Sequence, residues 1–475
     1  MSTFINLQLG WPSPSLFPAP QLLNGATKVL QSENKLASAL IYGPDAGYEP
    51  LRESIATWLS SCYSISPPIS KDRICVTSGA SASLHNILSK FTEPGYTRRI
   101  WMIEPSYFLA CPIFTDNGFE GRLRGIPEDD QGLDTEFLRK ALEEVERDAT
   151  HPQVPKTKTS PTRYKLYKHI IYAVPTFSNP SGKTMSLGRR HQLVRLAREF
   201  DALVVADDVY DVLRWPEEED EAQRKLGAIP PRIVDVDRVL DGGPGSEWGN
   251  AISNGSFSKI IAPGVRTGWV ESTPKLILSL SELGANKSGG CPSHLAATFI
   301  EEMLSSGQLQ AHINDTLISA YRSRYYMLRH AIRSLLEPLG FSISTGTPYS
   351  GKLDPGIQSN GVSHGEVAVA GGFFVYLTIP DDLPLSSAEL AAYALEKYNL
   401  KFAFGAMMAV EGDKSSTERG DQGYSKGIRL CWAWHSEGEI SEGIDRLASL
   451  VREFKAVGNH DVNCKDEATK QSREA

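Results

Sequence analysis

Apolar residues recur along this chain in two rhythms. Short unbroken runs at Ile74-Cys75-Val76-Thr77, Ile100 to Glu104, His169 to Pro175 and Ala202 to Ala206 predict strands buried on both faces, the pattern of a parallel sheet. Between them apolar positions return every three or four residues: Leu51, Ile55, Trp58 and Leu59 behind a Glu49-Pro50 start, Leu84, Ile87 and Leu88, then Phe108, Leu109, Ile113 and Phe114, and Leu187, Leu193, Val194 and Leu196 within 186–200. That spacing puts side chains on one helical face. A charged, weakly amphipathic helix is predicted over 133–148. The alternation over 70–290 predicts an α/β domain with a mostly parallel sheet flanked by helices. Further on, a strand over 267–270, a helix over 274–283, long helices from His294 to about Leu336, strands over 371–377 and 427–432 and a helix over 439–455 predict a smaller α+β domain.

Four stretches follow neither rhythm. Residues 5–24 hold Pro12, Pro14, Pro18 and Pro20 and read as an extended arm rather than a packed element. Residues 149–166 read as a polar surface loop. The span 216–250, with acidic Glu217 to Glu221 and flexible Gly242-Gly243-Pro244-Gly245, reads as surface insertions. The polar end, 458–475, reads as a disordered tail. The expected division is an arm with part of the small domain over 1–44, a large domain over 45–293, a small domain over 294–457, and the tail.

Composition narrows the picture. With 475 residues, 41% hydrophobic and 22% charged, the chain is of ordinary globular make-up. A net charge of -8 argues against a nucleic-acid partner held by phosphate contacts. The six cysteines form no C-x-x-C pair, so neither a metal site nor a disulfide framework is expected. Without a run of about 18 apolar residues no membrane helix is expected. The N-terminus lacks the basic and apolar regions of a signal peptide, and a cytoplasmic location is expected.

Candidate chemistry centres on Ser256-Phe257-Ser258-Lys259-Ile260-Ile261-Ala262-Pro263-Gly264-Val265-Arg266. Burial disfavours the charged form of a lysine set among Phe257, Ile260, Ile261 and Ala262, and a neutral amine condenses with aldehydes to a Schiff base. Ser256 and Arg266 offer a hydroxyl and a planar cation to a phosphate. An aldehyde with a phosphate describes pyridoxal 5'-phosphate (PLP). The same residues also suit a surface lysine beside a Gly-Pro turn. Upstream, the strand at 74–77 runs through Ser78-Gly79-Ala80-Ser81 into a helix, whose free N–H groups and dipole suit an anion. Tyr107 follows a strand end, where an aromatic ring can stack on a flat ligand. Asp207 closes the apolar strand 202–206, the place where open α/β sheets put chemistry; a helix cap is the other reading. Asn179-Pro180-Ser181-Gly182 is a turn by composition.

Together these segments resemble fold-type I PLP-dependent aminotransferases of class I/II. The lysine motif, Arg266-Thr267-Gly268, Asn179-Pro180-Ser181-Gly182, Asp207-Asp208-Val209-Tyr210 and Ile428-Arg429-Leu430 occur in the family's chain order. The resemblance covers roughly residues 5–455 and implies a seven-stranded-type sheet. It also implies roles: Lys259 as the Schiff-base lysine; Gly79, Ala80, Ser81, Ser256 and Arg266 at the phosphate; Tyr107 stacked on the ring; Asp207 on the pyridine nitrogen; Asn179 and Tyr210 at the phenolic oxygen. Arg429 would bind the substrate α-carboxylate, with Gly10 and Asn179 beside it. Tyr42 would reach the phosphate of a partner's cofactor across a homodimer interface. The pattern is most similar to the branch with 2-aminoadipate and aromatic (kynurenine-type) aminotransferases, working by a ping-pong reaction with a 2-oxo acid such as 2-oxoglutarate. Decarboxylation, carbon–carbon cleavage or gamma-replacement on the same fold, or a non-catalytic PLP-binding regulator, are the alternatives. No second substrate arginine is evident, so the sequence does not directly support a preference for dicarboxylates.

Overall fold

The computed structural model describes residues 3–148, 154–160, 164–344, 349 and 367–471, with side chains as far as residue 456. Strand β1 (Ile5–Asn6) stands apart from the main sheet. The strands β2 (Ile74–Thr77), β3 (Arg99–Glu104), β4 (Leu123–Asp129), β5 (Gly132–Leu133), β6 (His169–Ala173), β7 (Ala202–Asp207), β8 (Arg214–Pro216), β9 (Ala251–Ser256) and β10 (Gly268–Glu271) follow. All but β8 form one eight-stranded sheet in the order β2-β10-β9-β7-β6-β3-β4-β5. Strands β9, β7, β6, β3 and β4 are mutually parallel, whereas β10 runs antiparallel to both β2 and β9. The two-residue β5 adds an edge to the expected seven. Ala202, Leu203, Val204, Val205 and Ala206 are wholly buried, as the polar-free run predicts. Ser186 and Asp134 cap the helices Leu187–Glu199 and Thr135–Arg147 by accepting backbone N–H bonds.

The remaining strands are β11 (Ser342–Ile343), β12 (Val369–Gly371), β13 (Phe374–Thr378), β14 (Leu400–Lys401), β15 (Ala403–Phe404) and β16 (Gly427–Cys431). Four of them pair antiparallel in the order β11-β13-β16-β15, while β12 pairs with β8 and β14 with β1. The run expected as one strand over 371–377 is thus broken: Gly372 takes φ +68°, which turns Phe373 and Phe374 onto a new line. The long helices from His294 are interrupted at Gly307.

Three expectations need correction. The N-terminal arm is packed: Ile5 and Leu7 are wholly buried, β1 pairs in parallel with β14, and the Cys431 N–H donates to the Leu7 carbonyl at 2.8 Å. Residues 19–24 open helix α1 (Ala19–Leu30), in which Pro20 falls in the first turn, where its missing N–H costs nothing. Helix α2 (Glu33–Leu40) and then α3 (Glu49–Cys62) follow. A Cβ on Gly25 would lie 2.7 Å from the Phe299 carbonyl oxygen, so glycine lets α1 seat on the helix His294–Ser305. Within 216–250, Ile233–Val239 is a helix rather than a surface insertion. Its Ile233, Val234 and Val236 are buried against the main sheet, and its buried N-cap Arg232 pairs with Asp235 at 2.9 Å and Glu271 at 2.6 Å. The last helix runs from Glu437 to Gln471, so the expected tail continues it that far; residues 472–475 lie outside the described residues. The loop expected over 149–166 falls partly outside them too.

The packed arm makes a measurable claim. Leu7→Ala is expected to cost about 2–5 kcal/mol in urea unfolding, the usual range for emptying a buried leucine site. A change within about 0.5 kcal/mol, typical of a surface position, would mean the arm is not part of the core.

Candidate active site

A cavity of about 430 Å³ opens at the C-terminal ends of the parallel strands. It gathers Lys259, Asp207, Tyr107, Asn179, Tyr210, Ser256, Arg266, Arg429, Ala80, Ser81 and Gly10 into one lining. Of the remaining expected residues, Gly79 lies immediately behind that wall. Tyr42 does not line the cavity of its own chain: it is 85% exposed, next to Leu40 and Ile41 at 61% and 67%.

Lys259 sits in the turn that follows β9. Its Nζ donates to the Gly10 carbonyl at 2.7 Å, and it lies 5.2 Å from the Phe373 ring centre. Gly10 must be glycine for this approach, because a Cβ would meet Phe374 Cζ at 2.6 Å. Enclosure by protein pushes the lysine down to about 8; the Arg429 charge acts the same way, and Cys431 and Asp207 oppose it. Part of the side chain still faces the cavity, so the amine is desolvated without being closed off.

Asp207 ends β7. The Tyr172 hydroxyl donates to its Oδ2 at 2.8 Å, while Oδ1 is buried and has no partner. Burial pushes the carboxyl up to about 6, against the pull of the Tyr172 hydroxyl and the Lys259 charge. Asp208 lies away from the cavity. Burial and the neighbouring Asp211 hold it well above the usual carboxylate range.

The strand β2 feeds helix α4 (Ala80–Phe91) through Gly79, whose φ of +97° favours glycine. No side chain caps this helix, so its first N–H groups point at the cavity unclaimed. A Cβ on Gly79 would come within 3.1 Å of Arg266 Nη2. The guanidinium is held there by the carbonyls of Ser78 at 2.9 Å and Pro263 at 3.0 Å. Ser256 lies alongside, its Oγ bonded to Ser258 Oγ at 2.9 Å.

Arg429, on β16, is 5% exposed and forms no ion pair among the described residues. It donates to Asn179 Oδ1 at 2.6 Å and to the Gln8 carbonyl at 2.7 Å, and it lies 4.2 Å over the Phe374 ring, leaving Nε buried without a partner. A buried guanidinium without a carboxylate is costly and so is built for an anion that arrives.

Sequence reasoning missed several lining residues. Asn254 donates to the Ala80 carbonyl at 3.0 Å and ties the first turn of α4 to β9, with its own Oδ1 left buried and unpaired. It lies two positions before Ser256 on a strand and so shares its face, a signal that was present in the sequence. Tyr172, Phe374, Trp11 and Lys401 arrive through pairings distant in sequence and left no local signal.

The family model for aminotransferase class I and II matches residues 17–349. An uncharacterized protein of Saccharomyces cerevisiae is 34% identical over 96% of this chain and 98% of its own length. The chain belongs to the class I and II aminotransferases. It is also similar to the aromatic-amino-acid aminotransferase 1 of Thermococcus litoralis, at 29% identity over 95% of this chain and 89% of that one. The crystal structure of Pyrococcus horikoshii kynurenine aminotransferase, in complex with PMP, superposes with a TM-score of 0.71 at 27% identity, covering 95% of this chain and 92% of that chain.

Class I and II aminotransferases use PLP, and the free atoms of this cavity fit it. The uncapped helix end with Ser81, Ser256 and Arg266 suits the phosphate, the unpaired Asp207 Oδ1 suits a protonated ring nitrogen, and the Lys259 amine suits the aldehyde. Among the described residues no cluster suited to a metal ion exists.

Because burial lowers the lysine to about 8, its neutral fraction in the unliganded protein grows as pH rises through that value. Covalent uptake of PLP, trapped with borohydride and located on Lys259 by peptide mass, is expected to be half-maximal near pH 8. A midpoint near the 10.5 of a solvated lysine would show that the amine is not desolvated.

Proposed function

We propose that this aminotransferase moves the amino group of an aromatic amino acid or 2-aminoadipate to a 2-oxo acid such as 2-oxoglutarate, in a ping-pong reaction. The observation that carries this reading is the convergence, in one cavity, of a desolvated lysine, a carboxylate with one free oxygen and a buried arginine without an ion-pair partner. Donor and acceptor both need that arginine, so they occupy the site in turn. The apolar wall of Trp11, Phe108, Leu109 and Ile113 suits an aromatic side chain.

Bound PLP supplies an aldehyde that condenses with amines and a ring that draws electrons from the bonds at the substrate's α carbon. The chain's own residues do the rest. Lys259 would hold the cofactor through its amine and, as a neutral amine, would serve as the base that moves the substrate's α proton. Asp207 keeps the ring nitrogen protonated, and the Tyr172 hydroxyl holds its other oxygen in place. Ala80 N–H, Ser81, Ser256 and Arg266 bind the phosphate, with Gly79 giving Arg266 room. Tyr107 stacks on the ring. Tyr210 and the Asn179 amide nitrogen donate to the phenolic oxygen, while the Asn179 carbonyl orients Arg429 for the α-carboxylate. Gly10 closes the substrate side. The body over 45–293 carries the cofactor, and the arm with the body over 294–457 carries the substrate arginine.

The exposed run Leu40-Ile41-Tyr42 is read as part of a homodimer interface through which Tyr42 reaches the partner's phosphate site. A cytoplasmic setting accords with five free cysteines among the described residues, where no helix is long and apolar enough to cross a membrane.

The direct test is transamination by the purified protein, with aromatic amino acids and 2-aminoadipate as donors and 2-oxoglutarate as acceptor. Asp207→Asn is expected to lower kcat/KM by about a hundred-fold or more, the scale of losing a preorganised electrostatic partner. Asp208 does not line the cavity, and Asp208→Asn is expected to lose far less. Equal losses would remove Asp207 from its role.

Tyr42 is tested by mixing subunits. Tyr42→Ala and Lys259→Ala are each expected to be impaired as homodimers. If Tyr42 acts across the interface, a hybrid has one site with both lesions and one with neither, and activity returns on mixing. Hybrids that recover nothing would place Tyr42 outside the partner's site.

A further inference from the structure

Five charged side chains line the cavity: Asp207, Lys259, Arg266, Lys401 and Arg429. The proposed transamination occupies four of them and leaves Lys401 over. This lysine is half-buried, and its side chain has no hydrogen bond or ion pair among the described residues. Lysines that are drawn in from solvent ordinarily meet a carboxylate, so an unpaired one facing a substrate cavity has the same character as Arg429 beside it.

The fold fixes where it stands. On β14, Leu400 is wholly buried, and strand alternation turns Lys401 the opposite way, to the cavity. Lys401 is in register with Asn6 of β1, and Arg429 donates to the carbonyl of Gln8. The arm therefore meets the strand of Lys401 at Asn6 and the Arg429 guanidinium at Gln8, two residues on. Both cations line the one cavity of about 430 Å³ that would receive a short dicarboxylate. Asn6 and Gln8 contribute polar groups to the cavity lining, and Trp11, Phe108, Leu109 and Ile113 contribute apolar ones.

We propose that Lys401 binds the distal carboxylate of dicarboxylic substrates, of which 2-oxoglutarate is the type, while their α-carboxylate rests on Arg429. The inference depends on the aminotransferase reading and supplies the second cation that the sequence did not reveal. A lysine suits this role because its ammonium is a point charge on a flexible stem and accepts carboxylates over a range of lengths and angles. An aromatic donor lies against the apolar wall and makes no use of it. One cavity thus receives two unlike side chains in turn without rebuilding itself.

The test uses the PLP-loaded enzyme and one amino donor, comparing 2-oxoglutarate with 2-oxopentanoate as acceptors. Lys401→Gln is expected to lower the ratio of their kcat/KM values by about ten-fold or more, the scale of one hydrogen bond to a charged group. Lys401→Glu lowers it further, and Lys401→Arg restores most of it. Calorimetry gives a second readout: affinity for glutarate, an unreactive dicarboxylate, falls by a similar factor in Lys401→Gln, whereas pentanoate affinity changes far less. A ratio and a glutarate affinity that both stay within about two-fold in Lys401→Gln and Lys401→Glu overturn the proposal. If the wild-type protein transaminates with neither acceptor, the aminotransferase reading fails instead, and the glutarate affinity alone decides on Lys401.

Discussion

A buried charge must be paired, and this chain leaves several of its buried charges half-paired. Arg429 has an amide and a carbonyl but no carboxylate. Asp207 has one oxygen held by Tyr172 and one held by nothing. Lys259 has only a backbone carbonyl. Each arrangement is costly in an isolated protein, and each is relieved by a ligand with the complementary group. The cavity is in that sense an inverse cast of a cofactor and a substrate, and binding returns what folding leaves unsatisfied. The folded chain is accordingly expected to be stabilised by what it binds, since anything that binds only the native state raises its stability by mass action.

The sheet makes such an arrangement possible. Five mutually parallel strands end on one side, so Asp207, Ser256 and the turn after β2 are delivered to one rim by backbone geometry alone. The hydrophobic strands hold that rim still, which lets desolvation, rather than motion, set the lysine and the carboxylate. Arg429 comes from the four-stranded sheet and Lys401 from the separate β1–β14 pair, and the arm touches both sides of the cavity: β1 pairs with β14 and Gly10 meets Lys259. The carboxylate-binding side and the aldehyde-binding side are thus joined through residues 5–10 of the arm.

Much of the fold and site was legible in the sequence because the informative units are local. A polar-free strand followed by an acid, a strand that runs through Gly79 into a helix, and a lysine among apolar residues each announce themselves within about ten positions, and the structure brings them to one cavity. What was illegible depends on partners far away. The arm looked loose because its prolines are local, while the burial of Ile5 and Leu7 is decided by residues 400 and 431. The helix at 233–239 was hidden between acidic and glycine-rich flanks, and its role rests on Arg232 meeting Glu271 inside the protein. The break at Gly372 came from a positive φ that no apolar pattern signals. Lys401 carried no motif at all. Its significance is a matter of which strand lies beside it.

The pairing of β1 with β14 also fixes when the site can exist. Ile5 leaves the ribosome nearly 400 residues before Leu400, its partner. The same holds for Gln8 and Arg429, and for Asn6 and His435. The eight-stranded sheet has all its strands by residue 271 and can begin to order during synthesis. The arm must wait, its apolar residues unpaired, until the far end of the chain emerges and this very long loop can close. Cofactor-binding surfaces are therefore laid down early, but the enclosed cavity that tunes the lysine forms only once residues 400–435 are made. The nascent chain is in this way kept from assembling its chemistry before the arm's distant partners exist.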